Sequence, residues 1–267
     1  MGYKSIICIV IAICFAAGLL AGCVSAPPPD DQDQDDVLTQ VSTIDAILNG
    51  LYDGVITYGN LKEHGDFGIG TFEGLDGEMV ALDGNFYQIR ADGVAYPVGD
   101  NMTAPFACVL FFDRDQEMQV WDGMNYTRFR DYMDDSISDK NTFHAIRMEG
   151  TFSYVKTRSV PGQEKPYPPL VEVTANQPTF EFNDTEGTIV GFYCPPYVEG
   201  LNVPGYHLHF ITEDRTAGGH VLEFTVKDAE LSLDYTSELY IIFPNTEEFN
   251  SLDLTKSRKE ELEKAEK

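Results

Sequence analysis

Three of the five histidines in this 267-residue chain crowd into one stretch: His207 and His209 in Tyr206-His-Leu-His-Phe210, then His220. On a β-strand, residues two apart point to the same face. His207 and His209 therefore project together, while Tyr206, Leu208 and Phe210 face the other way. The polar run from Thr212 to Gly219 ends in two glycines, which predicts a hairpin connection. His220 then opens the paired strand and returns beside the other two. Three imidazoles on one sheet face make a metal site with a coordination position left open, as a catalytic centre needs. Donor type puts zinc first, although imidazole also suits iron, nickel and copper. The plain alternative is three polar residues on a solvated strand.

The elements that must position them are read from periodicity. Val37, Leu38, Val41, Ile44, Ile47, Leu48 and Leu51 recur at helical spacing, which predicts an amphipathic opening helix. From Phe67 to Phe112, short apolar runs are broken by Leu75-Asp-Gly, Leu82-Asp-Gly-Asn and Ala91-Asp-Gly, the pattern of antiparallel strands. A second helix is expected over Asn125–Ile137. Strands are expected around Thr142–Arg158, Thr179–Asn183, Thr188–Cys194, Tyr206–Thr212, His220–Val226 and Glu238–Phe243. Lys256–Lys267 reads as a terminal helix. The expected class is α+β, with mixed sheets, a few peripheral helices and the metal site on strands of the C-terminal half. The Pro-rich run Pro161–Pro169 marks a seam between two β-rich subdomains, 37–160 and 161–267.

The first 22 residues read as an address. Lys4 precedes an apolar run, Ile6–Ala21, that is shorter than the ~20 residues a spanning helix needs. Leu20-Ala21-Gly22-Cys23 resembles the lipobox of a prokaryotic lipoprotein, implying cleavage before Cys23 and a lipid on its sulfur. Residues 23–36, Pro-rich then acidic, form a stiff tether. These features predict an exported protein, anchored by lipid to the outer face of the cytoplasmic membrane. The formal charge of −26 argues against nucleic acid, whose phosphates need clustered Lys and Arg, and against docking on an anionic membrane surface. Cys108 and Cys194 remain for the body, either paired or buried as thiols. Asn101-Met-Thr, Asn125-Tyr-Thr and Asn183-Asp-Thr are glycosylation sequons.

Long motifs then point to a family. Gly191-Phe-Tyr-Cys-Pro-Pro-Tyr-Val-Glu-Gly-Leu-Asn-Val-Pro-Gly-Tyr-His-Leu-His-Phe-Ile211 with Gly218-Gly-His-Val-Leu-Glu-Phe224 resembles acetolactate decarboxylase. So do Gly68-Ile-Gly-Thr-Phe-Glu-Gly-Leu-Asp-Gly-Glu-Met79 and Lys156-Thr-Arg-Ser-Val-Pro-Gly-Gln-Glu-Lys-Pro-Tyr-Pro-Pro-Leu170. The resemblance runs from about Val37 to the C-terminus. It implies zinc ligands at His207, His209 and His220, an active-site arginine at Arg158, a catalytic glutamate at Glu78 and a threonine near the metal at Thr71. A second glutamate falls on Glu266 of the tail, with Glu263 one turn away as its alternative. Gly162 departs from the pattern, where a basic residue is expected. The implied activity is decarboxylation of 2-acetolactate to acetoin, by a homodimer. His64, His144, Glu73 and Glu149 are read as structural.

Two other readings of the histidines stay open. The spacing differs from α-type carbonic anhydrases, whose third histidine lies much further on. Glu213, four residues after His209, partly mimics a cupin oxygenase, but no histidine follows His220 to complete that motif. A lipid-anchored metal-binding protein without turnover is the second.

Overall fold

Val37–Val41 has four of its five residues buried, including Thr39 and Gln40, and it forms a central strand rather than the start of a helix. This corrects the expected opening helix. Ser42 turns the chain with a positive φ, and Thr43 caps a short helix, α1 (Ile44–Leu48), by accepting from the Ala46 N–H. A strand covered on both faces has no period-2 polarity, so its apolar residues merged with those of α1 into one helical pattern.

A computed structural model describes residues 36–266 of the chain. The signal segment, Cys23 and all of the tether before Asp36 lie outside the described residues. The first sheet has seven strands: β1 (Val37–Val41), β3 (Phe67–Thr71), β4 (Glu78–Leu82), β5 (Asn85–Ile89), β6 (Ala95–Pro97), β8 (Phe106–Leu110) and β14 (Glu238–Ile242). Their order is β14-β1-β8-β3-β4-β5-β6, with β14 parallel to β1 and the other neighbours antiparallel. A small ribbon pairs β2 (Ile56–Thr57) with β7 (Thr103–Ala104). The second sheet holds β9 (Gln116–Gln119), β10 (Phe143–Arg158), β11 (Thr179–Cys194), β12 (Gly205–Thr212) and β13 (Gly218–Thr236). The remaining helices are α2 (Tyr58–Leu61), α3 (Tyr126–Ser136), α4 (Leu170–Thr174), α5 (Glu247–Ser251) and α6 (Lys259–Glu266). The class is α+β, rich in β-structure, with the histidine cluster in the C-terminal half.

Both neighbours of β12, namely β11 and β13, also pair with β10, so four strands close into a ring. Phe152, Phe210 and Phe224 fill it edge to face, with centroids 5.7 and 6.2 Å apart. A second apolar layer, with Leu38, Ile69, Val80, Cys108, Phe192 and Ile211 among its members, is drawn from both sheets. Alternation along β12 follows from this: Leu208 and Phe210 pack with the ring's core, leaving His207 and His209 on the opposite face.

The sheets are not divided at Pro161–Pro169. β10 and β11 lie on either side of that run and are partners, and β14 joins the first sheet beside β1. The two strands expected at Thr179–Asn183 and Thr188–Cys194 are one, β11; its polar middle belongs to an exposed half. Cys108 and Cys194 are free, buried thiols. Asn101 is exposed, Asn125 caps α3 by accepting from the Arg128 N–H, and Asn183 is exposed in β11. Among the described residues no helix is long and apolar enough to cross a membrane.

Gly219 shows how tightly the ring is drawn where the histidines sit. Its φ is +135°, and a Cβ there would lie 2.4 Å from the Arg158 carbonyl oxygen. Gly219→Ala is expected to lower stability by about 1–3 kcal/mol through backbone strain and displacement of β10. Urea unfolding should show a lower midpoint at unchanged slope; an unaltered midpoint would contradict this packing.

Candidate metal centre and active site

Register brings the reactive side chains together. The β12–β13 pairing sets His209 opposite His220, and the β10–β13 pairing sets Arg158 opposite His220. The three imidazole centroids form a near-equilateral triangle with sides of 5.2, 5.0 and 5.3 Å. One ligand nitrogen from each lies within 4.8 Å of the others, and all three residues are buried. His209 Nδ1 is 2.8 Å from the Met79 carbonyl of β4. A carbonyl only accepts, so Nδ1 carries the hydrogen and Nε2 is left as a lone pair. That Nε2, like His207 Nδ1, is buried without a hydrogen-bond partner.

Burial holds all three imidazoles in the neutral form. It pushes His207 down to about 3, with help from the neighbouring Arg158 charge. His209 and His220 go well below the ordinary range for the same first cause, with the nearby cationic groups adding to it. Neutral imidazoles are what a metal ion requires, and an orphaned buried lone pair otherwise costs about 1–3 kcal/mol. The donor set therefore fits a divalent metal ion.

Two carboxylates flank the triangle. Glu78 opens β4 opposite Thr71, and its Oε2 lies 3.6 Å from His209 Nε2. Burial raises Glu78 to about 8; Arg158 opposes the rise and Glu266 adds to it. Glu266, at the end of α6, places Oε2 3.6 Å from His220 Nε2 and 3.7 Å from His207 Nε2. Burial raises this carboxyl too, against the pull of Arg158. Because the imidazoles are neutral, the ion pair here is the one between Glu266 and Arg158, at 3.7 Å. Arg158 also donates from Nη1 to the Ala265 carbonyl, while its buried Nε has no partner. The Thr71 hydroxyl donates to the Gly77 carbonyl at 2.7 Å, bracing the turn that presents Glu78.

His207, His209, His220, Glu78, Arg158, Glu266 and Thr71 all border one cavity. Its remaining wall is mostly apolar, with Ile44 and Ile47 from α1, Leu75, Phe106, Val160 and Leu170. Of the two tail candidates, Glu266 is the one that borders it. His64 packs near Tyr240, and His144 lies 2.7 Å from the Asp139 carbonyl, both away from the cluster. Glu73 accepts from the Thr103 hydroxyl and Glu149 pairs with Arg147. A Cβ at Gly162 would stand 3.0 Å from Asp76 Oδ1, so a side chain there would reach the turn before Glu78. The Met79 and Ala265 carbonyls went unread in the sequence, because a backbone acceptor carries no residue signature. The apolar wall read only as core.

Glu78 binds its proton more tightly folded than unfolded, so ionising it weakens the fold as pH rises from about 4.5 to about 8. In chelator-treated protein, Glu78→Gln should therefore gain stability over the parent across that interval, on the order of a few kcal/mol by pH 8. Unfolding curves at stepped pH would read this; identical slopes for both proteins would refute the burial of that carboxyl.

Comparison with known proteins bears on the chain as a whole. The profile of the family described as alpha-acetolactate decarboxylase matches residues 38–256. The alpha-acetolactate decarboxylase of Methanosarcina mazei is 50% identical over 240 residues, 90% of this chain and 83% of that protein. The one from Methylococcus capsulatus is 46% identical, covering 87% of this chain and 90% of its own. The crystal structure of alpha-acetolactate decarboxylase from Bacillus subtilis strain 168 superposes with a TM-score of 0.84 at 40% identity, covering 86% of this chain and 99% of that one. With matches of this extent over the sheet, the ring and the histidine strands, the chain belongs to the alpha-acetolactate decarboxylase family and is a carboxy-lyase.

Proposed function

We propose that this protein converts 2-acetolactate to acetoin and carbon dioxide, using a divalent metal ion, zinc first, held by His207, His209 and His220. One observation carries the reading: three neutral, buried imidazoles converge between two carboxylates and a buried arginine. The relatives named above supply the substrate.

The chemical difficulty is the electron pair left on carbon when the carboxylate departs. The adjacent ketone can take up that pair as an enediolate. A divalent metal ion held by His207, His209 and His220 would supply Lewis acidity to stabilise that developing charge. Arg158 offers the substrate carboxylate a charged planar donor, and its unpartnered Nε is available for that role. Ile44, Ile47, Leu75 and Phe106 accept the methyl groups and keep bulk water from the reacting carbon. Glu78 and Glu266 manage two protons: one relays the hydroxyl proton, and the other protonates the enediolate from one side to give a single acetoin enantiomer. One C–C bond breaks, one C–H bond forms, and the carboxyl that donated is reprotonated from solvent. In a chain of net charge −26, attraction of an anionic substrate rests on Arg158 and the metal.

The test is acetoin formation from racemic 2-acetolactate before and after chelation, with zinc add-back, in air and without oxygen. Chelator-sensitive, zinc-restored and oxygen-indifferent turnover is expected. Stoichiometric metal without acetoin would leave a metal-binding protein, and oxygen dependence would favour a cupin-type oxygenase. Changing any one of the three histidines to Ala should empty the site and abolish turnover. Glu78→Gln and Glu266→Gln should each keep the metal and slow turnover roughly 10²-fold.

The same reading includes a homodimer, and an exported chain cleaved before Cys23 and lipid-anchored there, with residues 23–36 as tether. Support for the anchor is the Leu20-Ala21-Gly22-Cys23 motif behind a short apolar run. Cell fractionation should find the protein with membranes and the Cys23→Ala variant released from them; equal distribution of the two would dispose of the anchor.

A further inference from the structure

The helix that delivers Glu266 has little to hold it by itself. α6 is eight residues long, below the length at which an isolated helix is stable, and its buried residues are Leu262 and Ala265. One fastening lies at its far end, where Arg158 meets the Ala265 carbonyl and the Glu266 carboxylate. A second lies at its near end. The Leu262 N–H bonds to the Arg258 carbonyl, so Arg258 opens the first turn. The Arg258 guanidinium forks between two elements: Nη2 donates to Asn49 Oδ1, just past the end of α1, and Nη1 donates to Glu261 Oε2 at 2.7 Å within α6. Asn49 is itself fixed, since its Nδ2 donates to the Asp45 carbonyl at 2.6 Å. Ile44 and Ile47 of that same α1 line the active-site cavity. A continuous set of bonds thus links the cavity wall, α1, Asn49, Arg258 and the tail.

We propose that Arg258 is a positioning residue for the reaction: by tying the first turn of α6 to Asn49, it sets the register in which the tail brings Glu266 to His207, His220 and Arg158. The proposal rests on the assignment of Glu266 to the chemistry. Eight residues separate Arg258 from Glu266, about 12 Å along a helix axis. A planar fork bonded on both sides fixes the helix in height and in rotation together. A slip of one residue would swing the carboxylate by about 100° around the axis and out of the cavity. A lysine ammonium reaches one partner but cannot reproduce the flat two-sided fork.

The experiment uses the full-length, zinc-loaded protein and its Arg258→Ala, Arg258→Lys and Asn49→Ala variants, each also combined with Glu266→Gln. Arg258→Ala is expected to lower kcat about tenfold, the scale of one charge-assisted hydrogen bond in a seating equilibrium, while KM moves less than about threefold. Arg258→Lys should recover part of the loss, and Asn49→Ala should reproduce it. In the Glu266→Gln background, Arg258→Ala should change kcat by less than about twofold, because the carboxylate it positions is gone. Hydrogen–deuterium exchange supplies a readout independent of turnover: amides of residues 262–266 should exchange about tenfold faster in Arg258→Ala, with β12 and β13 unchanged. An equal slowing of parent and Glu266→Gln proteins, or unchanged tail exchange, would overturn the proposal. Should the parent make no acetoin at all, the proposed function fails, and the exchange comparison still decides whether Arg258 seats the tail.

Discussion

The chemistry of this protein depends on one strand register. His209 lies opposite His220, and His220 lies opposite Arg158, across three consecutive strands of a closed ring. Shifting a strand by one residue turns its side chains to the other face, which here would put imidazoles against Phe152 and Phe224. The packed aromatic interior of the ring and Gly219, where no side chain fits, guard that register from either side. The first sheet then contributes what the ring cannot. A carbonyl of β4 orients His209, and the first residue of the same strand supplies Glu78. One end of β4 thus sets both the tautomer of His209 and the place of the Glu78 carboxyl.

Burial does two opposite things within a few ångströms. It keeps His207, His209 and His220 free of protons, and it makes Glu78 and Glu266 hold theirs more firmly. Both effects have a single cause, since a dry environment disfavours whichever form carries charge. Arg158 is the charged exception, and it lowers every one of these groups. The strongly acidic surface therefore says little about the interior, where burial pulls acids and bases alike toward their neutral forms around one guanidinium.

Much of the site was legible because its core is local. His-x-His is a two-residue repeat, and Gly218-Gly219 announced the turn that returns His220 to its partners. Glu78, Arg158 and Glu266 were different, because they approach the histidines from three distant segments, and only resemblance to a family singled them out. Val37–Val41 was misread because a strand covered on both faces loses the alternation that would identify it. Pro161–Pro169 looked like a boundary because proline runs interrupt secondary structure, yet β10 and β11 pair across it. No residue type marks a carbonyl such as that of Met79 or Ala265 as important.

Closure of the four strands into a ring has a consequence for rates. β12 and β13, which carry all three histidines, each have a bonded partner on either side, so neither is a free edge that can peel away. His209 and His220 face each other inside a ladder that is bonded on both flanks, so their spacing is held by β10, β11, β12 and β13 together. An ion bound by the three histidines would exchange through the cavity that they border, without any strand of the ring separating. A chelator would then act on the timescale of access to that cavity.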